Sequence, residues 1–461
     1  MGDQPAGSRV HLATLRGLFS QRLDPSTLGR MHRLLAALGN PELRLAPVVH
    51  VAGTNGKGSL IAFMRAMLEA GGRRVHSYLS PPLQRISECI QLASPSGAPS
   101  AEISEPQFAD ALARVLAANQ GAPLTSFEGE TAAALMAFCE TPADIVLLET
   151  GLGGRTDATN VVARPLLTVL TPIDFDHADF LGATLAEIAG HKAGILKHGV
   201  PCVVARQHIE SLARIREVAH EVGAPLFEHG QDWDVYEQHG RLVYQDADGL
   251  LDLPTPSLTG RHQIDNAGLA VAAALRLGAL RPDEVAIARG LSQTRWPGRL
   301  QRLSGQGLSA VLPPGSELWV DGGHNAAAAA AIAQAMAEME ERAPKALHLV
   351  IGMLRSKRLE AYLRPFAGLA RSVTGIVPPD VSRAYAPAYS AAEIADTAQK
   401  LGVYARPAAS LEDGLAAIAV RANAKPVRIL VCGSLHLAGS TLAADAVARA
   451  ASRRTGTAGG D

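Results

Sequence analysis

Residues 50–59 read HVAGTNGKGS, a glycine-rich run between two segments of different periodicity. The run just before the glycines, PVVHVA at residues 47–52, is short, apolar and β-branched, which is typical of a buried strand. After the glycines, residues 59–70 place apolar side chains at helical spacing. The sequence therefore predicts a strand, a tight loop and a helix in immediate succession.

The glycines of this loop indicate phosphate binding. Gly53, Gly56 and Gly58 would let the backbone approach phosphate oxygens, and the helix N-terminus adds partial positive charge. Lys57 would neutralise the terminal phosphates, and the Ser59 hydroxyl could ligate magnesium. The strict Walker A spacing is not met, because Gly58 separates Lys57 from the hydroxyl residue. The alternative is an ordinary strand-to-helix turn with an exposed lysine, and the strand–loop–helix context favours phosphate binding.

Short apolar runs alternate with helical patterns along the next part of the chain. Further strands are predicted at residues 144–148, 166–171 and 201–205, and residues 231–260 are typical of an appended hairpin. Uninterrupted apolar strands between helices predict a parallel sheet covered on both faces, and hence an α/β fold.

The pattern changes at the breaker cluster Trp296-Pro297-Gly298. Beyond it, strand candidates alternate with alanine-rich helices, at residues 317–320, 347–351, 373–377 and 428–431. We therefore predict two domains, residues 1–297 and a smaller Rossmann-like α/β domain at residues 298–461.

Composition narrows the class of protein. The 461 residues carry 43 Lys and Arg against 44 Asp and Glu, so no overall basic charge indicates nucleic-acid binding. The four cysteines are scattered without a CxxC pair, which argues against a disulfide framework or a zinc site. Apolar runs are interrupted well before the roughly 18 residues of a membrane span. We expect a cytoplasmic protein without a membrane segment.

Two acidic stretches follow predicted strands. Residues 144–155, DIVLLETGLGGR, place Glu149 at the end of a strand before a glycine-rich turn, where a carboxylate could hold magnesium. The alternative is a solvated acid that caps the strand. Asp176, His177 and Asp179 cluster after the next strand, although such a cluster is usually a solvated loop.

TNGKGS at residues 54–59 is similar to the phosphate loop of the Mur ligase superfamily, and of its folylpolyglutamate synthase/dihydrofolate synthase branch in particular. The similarity continues through GLGGRTDATN, HKAGILK, WPGRLQ and DGGHN, and covers residues 26 to 440. It implies a Mur-ligase-like ATP-binding domain with a pterin site, followed by an α/β domain on the glutamate side. The implied reaction is ATP-dependent addition of L-glutamate to dihydropteroate and to folates through an acyl phosphate.

The resemblance also implies roles for single residues. Contacts with ATP fall to Thr54, Asn55, Gly56, Lys57, Gly58, Ser59, Asn266, Arg299 and Asp321. Metal ligands are Ser59, Ser80, Glu149, His177 and, as a carbamate, Lys192. Catalytic roles fall to Lys57, Lys192, His177 and Arg299, and substrate contacts to Phe127, Glu128, His324 and Asn325. The implied ions are two Mg²⁺, with room for a monovalent cation such as K⁺, although histidine is an uncommon ligand for magnesium.

Each assignment has a structural alternative. Asn266 would serve as a helix N-cap, Phe127 as a core residue and Lys192 as a surface lysine. Residues 26–33, STLGRMHR, match the family's N-terminal helix, whose basic residues could hold an anionic substrate. Within IGMLRSKR at residues 351–358, the acidic residues usual in the family are missing, so no role is carried over.

Three other functions stay open. The first is a folylpolyglutamate synthase without the dihydrofolate synthase activity. The second is a Mur-type ligase acting on a peptidoglycan precursor, which usually needs a separate N-terminal domain, whereas about 46 residues precede the first strand here. The third is an NTPase of another class. The expected partners are small molecules only, with no nucleic acid or membrane, and the expected state is a monomer.

Overall fold

The computed structural model describes residues 28–94, 98–303, 305, 307–379 and 387–457. Two compact units divide them. The first holds the residues up to Asp174 together with Ala178–Ser257 and Ile264–Arg295. The second holds Phe175–His177, Leu258–Gln263 and the chain from Trp296 onward. Of the predicted basic segment at residues 26–33, Ser26 and Thr27 lie outside the described residues.

The first unit is built on an eight-stranded sheet in the order β4-β3-β2-β5-β1-β6-β7-β8. Its strands are β1 (Val48–Ala52), β2 (Val75–Tyr78), β3 (Ile90–Leu92), β4 (Ala101–Glu102), β5 (Ile145–Glu149), β6 (Leu167–Leu170), β7 (Cys202–Val204) and β8 (Leu226–Glu228). The six neighbouring strands β2, β5, β1, β6, β7 and β8 run parallel to one another, as predicted. Strands β3 and β4 extend this parallel sheet at one edge with antiparallel pairing, which the sequence did not predict.

Helices of the first unit pack on the sheet because its strands are apolar on both faces. They are α1 (Gly29–Ala37), α2 (Lys57–Ala70), α3 (Glu105–Asn119), α4 (Ser126–Glu140), α5 (Ala178–Leu181), α6 (Leu185–Lys192), α7 (Ile209–Val222), α8 (His262–Leu275, from Ile264 onward) and α9 (Glu284–Gln293). One core joins Val146 and Leu148 of β5 to the helices α1, α3 and α4. A second core joins Leu170 of β6 to α6 and α7. Each fully buried leucine or valine contributes about 1.5–3 kcal/mol.

The predicted hairpin within residues 231–260 is a three-stranded antiparallel sheet. Its strands β9 (Trp233–Gln238), β10 (Arg241–Asp246) and β11 (Gly249–Pro254) lie in the order β11-β10-β9. Trp233 stacks on Tyr244 with the ring centroids 6.2 Å apart, so the aromatic side chains form the buried side of this small sheet.

The second unit contains a six-stranded sheet in the order β12-β13-β17-β14-β15-β16. Its strands are β12 (Gln301–Leu303), β13 (Glu317–Val320), β14 (Leu347–Ile351), β15 (Ala370–Gly375), β16 (Ala405–Pro407) and β17 (Arg428–Cys432). Only β12 runs antiparallel to its neighbour. The helices are α10 (Ala326–Arg342), α11 (Leu359–Leu363), α12 (Ala391–Lys400), α13 (Leu411–Ala422) and α14 (Leu435–Thr457). No helix in the described part of the chain is long and apolar enough to span a membrane.

Candidate active site

The loop between β1 and α2 has a backbone that demands glycine. Gly53 has φ +151°, and a Cβ atom there would lie 1.8 Å from Thr171 Oγ1. Gly56 is the N-cap of α2 with φ +89°, a conformation that favours glycine. The loop is tied to the chain after β6, since Thr54 Oγ1 donates to the Asp174 carbonyl at 3.0 Å. The loop is therefore fixed, and its N–H groups lie at the start of a helix.

The Lys57 side chain lies over this loop. Its Nζ donates to the carbonyls of Gly53 and Thr54, at 3.2 and 3.3 Å. The same Nζ is 3.7 Å from Oε1 of Glu149, which ends the neighbouring strand β5 and is 4% exposed. A positive charge and a buried carboxylate therefore meet at the carboxyl ends of two parallel strands, where ligands bind in open α/β sheets.

Ser80 completes this group. Its backbone N–H donates to Glu149 Oε2 at 3.3 Å, while its buried Oγ has no hydrogen-bond partner among the described residues. A buried hydroxyl without a partner is costly, and hydroxyl and carboxylate oxygens are ligands that Mg²⁺ accepts. Within the described ranges, no three His, Cys, Asp or Glu side chains could hold a metal together. Ser80 and Glu149 fit a metal that is also bound by other groups, such as phosphate oxygens or the buried Ser59 hydroxyl.

Lys192 ends α6 and is buried, with 5% of its surface exposed. The alternative of a surface lysine is therefore wrong. Its Nζ donates to the Gly53 carbonyl at 2.8 Å, so it contacts the phosphate loop directly. A Cβ on Gly154 would lie 2.7 Å from the Lys192 carbonyl oxygen. The glycine-rich turn after β5 thus packs against the helix end that carries Lys192. Carbamoylation of this side chain stays a prediction.

Asp157 organises the same turn. Its buried carboxylate accepts hydrogen bonds from the Leu152 N–H at 2.7 Å, the Thr159 N–H at 3.0 Å and Thr159 Oγ1 at 2.5 Å. Burial raises the pKa of Asp157, although these hydrogen bonds act in the opposite direction. The carboxylate fixes the polypeptide between Glu149 and residue 159, and so it holds the strand end on which Glu149 lies.

His50 is fully buried in the central strand β1 and connects to this network. Its Nε2 lies 2.8 Å from Thr159 Oγ1, whose hydrogen goes to Asp157, so His50 Nε2 carries a hydrogen and donates it. Burial, assisted by the charge of Lys197, lowers the pKa of His50 to about 3. The imidazole is therefore neutral throughout the physiological range.

This neutral histidine gives an expected pH dependence of stability. Below about pH 6.5 the unfolded chain binds a proton at His50, but the folded chain does not until pH falls to about 3. The stabilisation is complete above pH 7 and is lost as pH falls, by about 2 kcal/mol between pH 7 and pH 5. Urea unfolding at both pH values should show a smaller loss in His50→Gln, which keeps a donor for Thr159. Equal losses in the two proteins would contradict the assignment.

Asn266 lies inside helix α8, which begins at His262. The alternative of an N-cap is therefore wrong. The side chain instead lies against the phosphate loop, because a Cβ on Gly56 would be 2.4 Å from Asn266 Oδ1. Its contact with a nucleotide stays a prediction, supported by this position.

Phe127 lies on the first turn of α4, half-buried against the core. Its ring stacks on Tyr78 with centroids 6.1 Å apart, and a Cβ on Gly151 would lie 2.4 Å from the Phe127 ring. The ring is therefore next to the turn that follows Glu149. This position is compatible with both the core role and the pterin contact.

Glu128 has partners of its own within the protein. It forms a capping box with Thr125, whose N–H donates to Glu128 Oε2 at 2.7 Å. Arg30 of α1 forms an ion pair with the same carboxylate, at 3.0 Å from Nη2 to Oε1. The side chain is 9% exposed. The structure thus gives Glu128 a role in fixing α4 and α1, and its contact with the pterin edge stays a prediction.

In the second unit, Asp321 holds two backbone segments together. Its oxygens accept hydrogen bonds from the Leu300 N–H at 2.7 Å and the Gly323 N–H at 2.6 Å. Arg299, next to Leu300, donates through Nη1 to the Gly298 carbonyl at 3.1 Å. Asp321 therefore fixes the segment that carries Arg299, and the contacts of both residues with ATP stay predictions.

The Asp176 carboxylate gathers the other predicted residues of the second unit. It accepts from Lys357 Nζ at 2.5 Å, the His177 N–H at 2.9 Å and Asn325 Nδ2 at 3.2 Å, and His324 Nε2 lies 3.6 Å away. Burial alone would raise the pKa of Asp176, but the His324 hydrogen bond and the Lys357 charge hold it far below its usual range. The structure thus brings His177, His324 and Asn325 to one carboxylate.

Known proteins match this chain over most of its length. The chain is 36% identical over 363 residues to the dihydrofolate synthase/folylpolyglutamate synthase of Bacillus subtilis, and the match covers 75% of this chain and 80% of that protein. The chain belongs to the dihydrofolate synthase/folylpolyglutamate synthase family. The family model described as "Dihydrofolate synthetase, C-terminal domain" also matches residues 309–444.

Solved structures of this family share the fold. The E. coli FolC structure in complex with DHPP and ADP superposes with a TM-score of 0.83 at 31% identity, over 97% of this chain and 100% of that one. A bifunctional folylpolyglutamate synthase/dihydrofolate synthase with Mn, AMPPNP and L-glutamate bound has a TM-score of 0.79 at 28% identity, over 96% and 99% of the two chains. The predictions of a Mur-ligase-type α/β fold and of an ATP-dependent glutamate ligase of this family are confirmed.

Two residues of the site were missed from the sequence. Asp157 lies in GLGGRTDATN and Lys357 in IGMLRSKR, and the sequence predicts no role for either residue. The pairings of both depend on residues in other parts of the chain, which spacing alone does not reveal. For Glu128, in contrast, the capping-box pattern TSFE at residues 125–128 was visible in the sequence.

Proposed function

We propose that this chain is bifunctional, adding L-glutamate to dihydropteroate and to reduced folates at the expense of ATP. The observation that carries the proposal is the phosphate loop of the first unit, with Lys57 Nζ over its carbonyls and Glu149 and Ser80 beside it. The match to proteins named for both activities supports the pairing.

In the first step, a carboxylate oxygen of the pteroate or folate attacks the γ-phosphorus of ATP. The bond from that phosphorus to the bridging oxygen breaks, and ADP leaves with the electron pair. Lys57 and the loop N–H groups hold the phosphates in line, and positioning with charge neutralisation is most of what a protein contributes to phosphoryl transfer. Arg299 would add a fixed guanidinium to the phosphates.

In the second step, the amine of L-glutamate attacks the carbonyl carbon of the acyl phosphate. The tetrahedral intermediate expels inorganic phosphate, the amine loses a proton and an amide bond remains. His324 and Asn325 are the proposed contacts on the glutamate side, where Asn325 also caps α10 through Oδ1.

The divalent metal, two Mg²⁺ ions by this proposal, would be held by Ser59, Ser80, Glu149 and His177, with Lys192 as a carbamate. When bound, it supplies neutralisation of the charge on the transferred phosphoryl group. The orphaned Ser80 Oγ beside the Glu149 carboxylate supports this assignment.

Separate assays with dihydropteroate and with tetrahydrofolate test the proposal. Each assay contains ATP, Mg²⁺ and L-glutamate, and products are identified by mass. Dihydrofolate should accumulate in the first, and a folate one glutamate longer in the second. Glutamate addition to tetrahydrofolate alone would make the chain a folylpolyglutamate synthase, and ATP hydrolysis independent of glutamate would reject the ligase.

The Phe127 ring gives a prediction for the pterin pocket. Loss of stacking by a flat heterocycle costs about 1–3 kcal/mol, so Phe127→Ala should raise the KM for dihydropteroate about ten-fold and leave the KM for ATP nearly unchanged. Phe127→Leu is the matched control, because it keeps apolar volume against Tyr78 without a flat ring. A KM effect in Phe127→Ala that Phe127→Leu restores fully would assign the ring to packing alone.

A further inference from the structure

The pairing of Asp176 with Lys357 connects residues for which the sequence predicted separate roles. Asp176 lies beside His177, the predicted metal ligand, and its carboxylate also contacts Asn325 and His324, predicted on the substrate side. The Asp176 side chain is 10% exposed and that of Lys357 12%. Exposed ion pairs contribute little to stability, because water solvates both charges. Water reaches little of the Asp176–Lys357 pair, so the two charges depend more strongly on each other.

The backbone of His177 needs support. Its φ is +52°, the left-handed conformation, which is uncommon for a residue with a side chain. Oδ1 of Asp176 accepts the His177 N–H at 2.9 Å and stabilises this turn. The direction in which the His177 imidazole projects therefore depends on the orientation of the Asp176 carboxylate.

Lys357 sets that orientation. Its Nζ donates to Asp176 Oδ1 at 2.5 Å, the oxygen that also accepts from His177, and lies 3.4 Å from His177 Nε2. The Lys357 backbone is itself anchored, because Tyr389 Oη donates to its carbonyl at 3.0 Å. Without Lys357, the carboxylate keeps Asn325 and His324 on its other oxygen and can turn away from the His177 N–H.

We propose that Asp176 and Lys357 are a positioning pair that holds the His177 imidazole for the divalent metal and keeps His324 and Asn325 on the same carboxylate. This inference rests on the proposed function, in which His177 is a metal ligand. Groups that orient metal ligands typically change metal affinity or activity 10- to 100-fold when they are removed.

The test compares Lys357→Met, Asp176→Asn, their double variant and Arg364→Met. Arg364 is the control, because its ion pair with Glu360 is exposed and lies outside this cluster. Mn²⁺ binding is measured by electron paramagnetic resonance in the presence of a non-hydrolysable ATP analogue, alongside kcat and the unfolding temperature. Both single variants should bind Mn²⁺ about 10- to 100-fold more weakly. The double variant should be no worse than either single variant, as for residues that act as a unit.

Three results separate the explanations. An active wild type whose Lys357→Met variant binds Mn²⁺ like Arg364→Met overturns the inference. So does a lower unfolding temperature with unchanged Mn²⁺ binding, because the pair would then be structural only. A wild type that binds Mn²⁺ but does not add glutamate rejects the proposed function, and weaker Mn²⁺ binding in both single variants would still support the pair.

Discussion

Replacing Lys57 with alanine is expected to lower ligase turnover about 10²–10³-fold, the loss seen when one charge-stabilising donor is removed from a transition state. Its Nζ lies over the phosphate loop, 3.2 Å from the Gly53 carbonyl and 3.7 Å from Glu149. Lys57 is the basic residue within residues 53–59, so the transferred phosphoryl group would lose the positive charge that the loop itself carries.

The fold should survive this change, because the described contacts of Lys57 Nζ are two carbonyls of its own loop and Glu149, and Glu149 also accepts from the Ser80 N–H. The unfolding temperature serves as the check. Lys57→Arg keeps the positive charge but replaces the compact ammonium with a planar guanidinium, and it should recover only part of the turnover. Near-normal turnover in Lys57→Ala would remove the argument for the phosphate loop.

Replacing Lys192 with alanine is expected to leave almost no activity. Lys192 is 5% exposed and its Nζ is 2.8 Å from the Gly53 carbonyl, so its side chain contacts the loop itself. If the side chain is carbamoylated, the variant loses a carboxylate-like ligand, and a short carboxylic acid should restore part of the activity. Turnover of Lys192→Ala with and without millimolar acetate or propionate measures this.

Lys192→Arg distinguishes a carbamate from a plain ammonium group. Arginine keeps a positive charge but stays protonated and does not form a carbamate. We expect it to be as inactive as the alanine variant. Arginine activity close to wild type would mean that the positive charge of Lys192 is what the reaction needs.

The sequence predicted best the part of the site whose residues follow one another directly in the chain. The strand, the glycines and the helix around Lys57 follow one another directly, and φ values of Gly53 and Gly56 match the need for glycine there. The short edge strands β3 and β4, with three and two residues, were missed because so few residues give no reliable alternation.

The sequence pattern did not predict contacts between residues that are far apart in the chain. Lys357 pairs with Asp176, and His50 reaches Asp157 through Thr159. The roles of Lys357 and His50 depend on which segments of the chain come together in the folded protein. Family resemblance supplied Lys192 and His177, but it did not indicate that the Lys192 amine lies against Gly53.

The packing of Gly154 against the end of α6 has a consequence for how this enzyme could be evolved in the laboratory. A Cβ at position 154 would meet the carbonyl oxygens of His191 and Lys192 at 2.8 and 2.7 Å, and one at Gly194 would meet Arg155 Cβ at 2.4 Å. Two segments almost forty residues apart therefore pack so closely that backbone atoms leave no room for a side chain at either glycine. A library for laboratory evolution should therefore keep both glycines fixed and exchange the two segments together as one block, so that their fit is preserved.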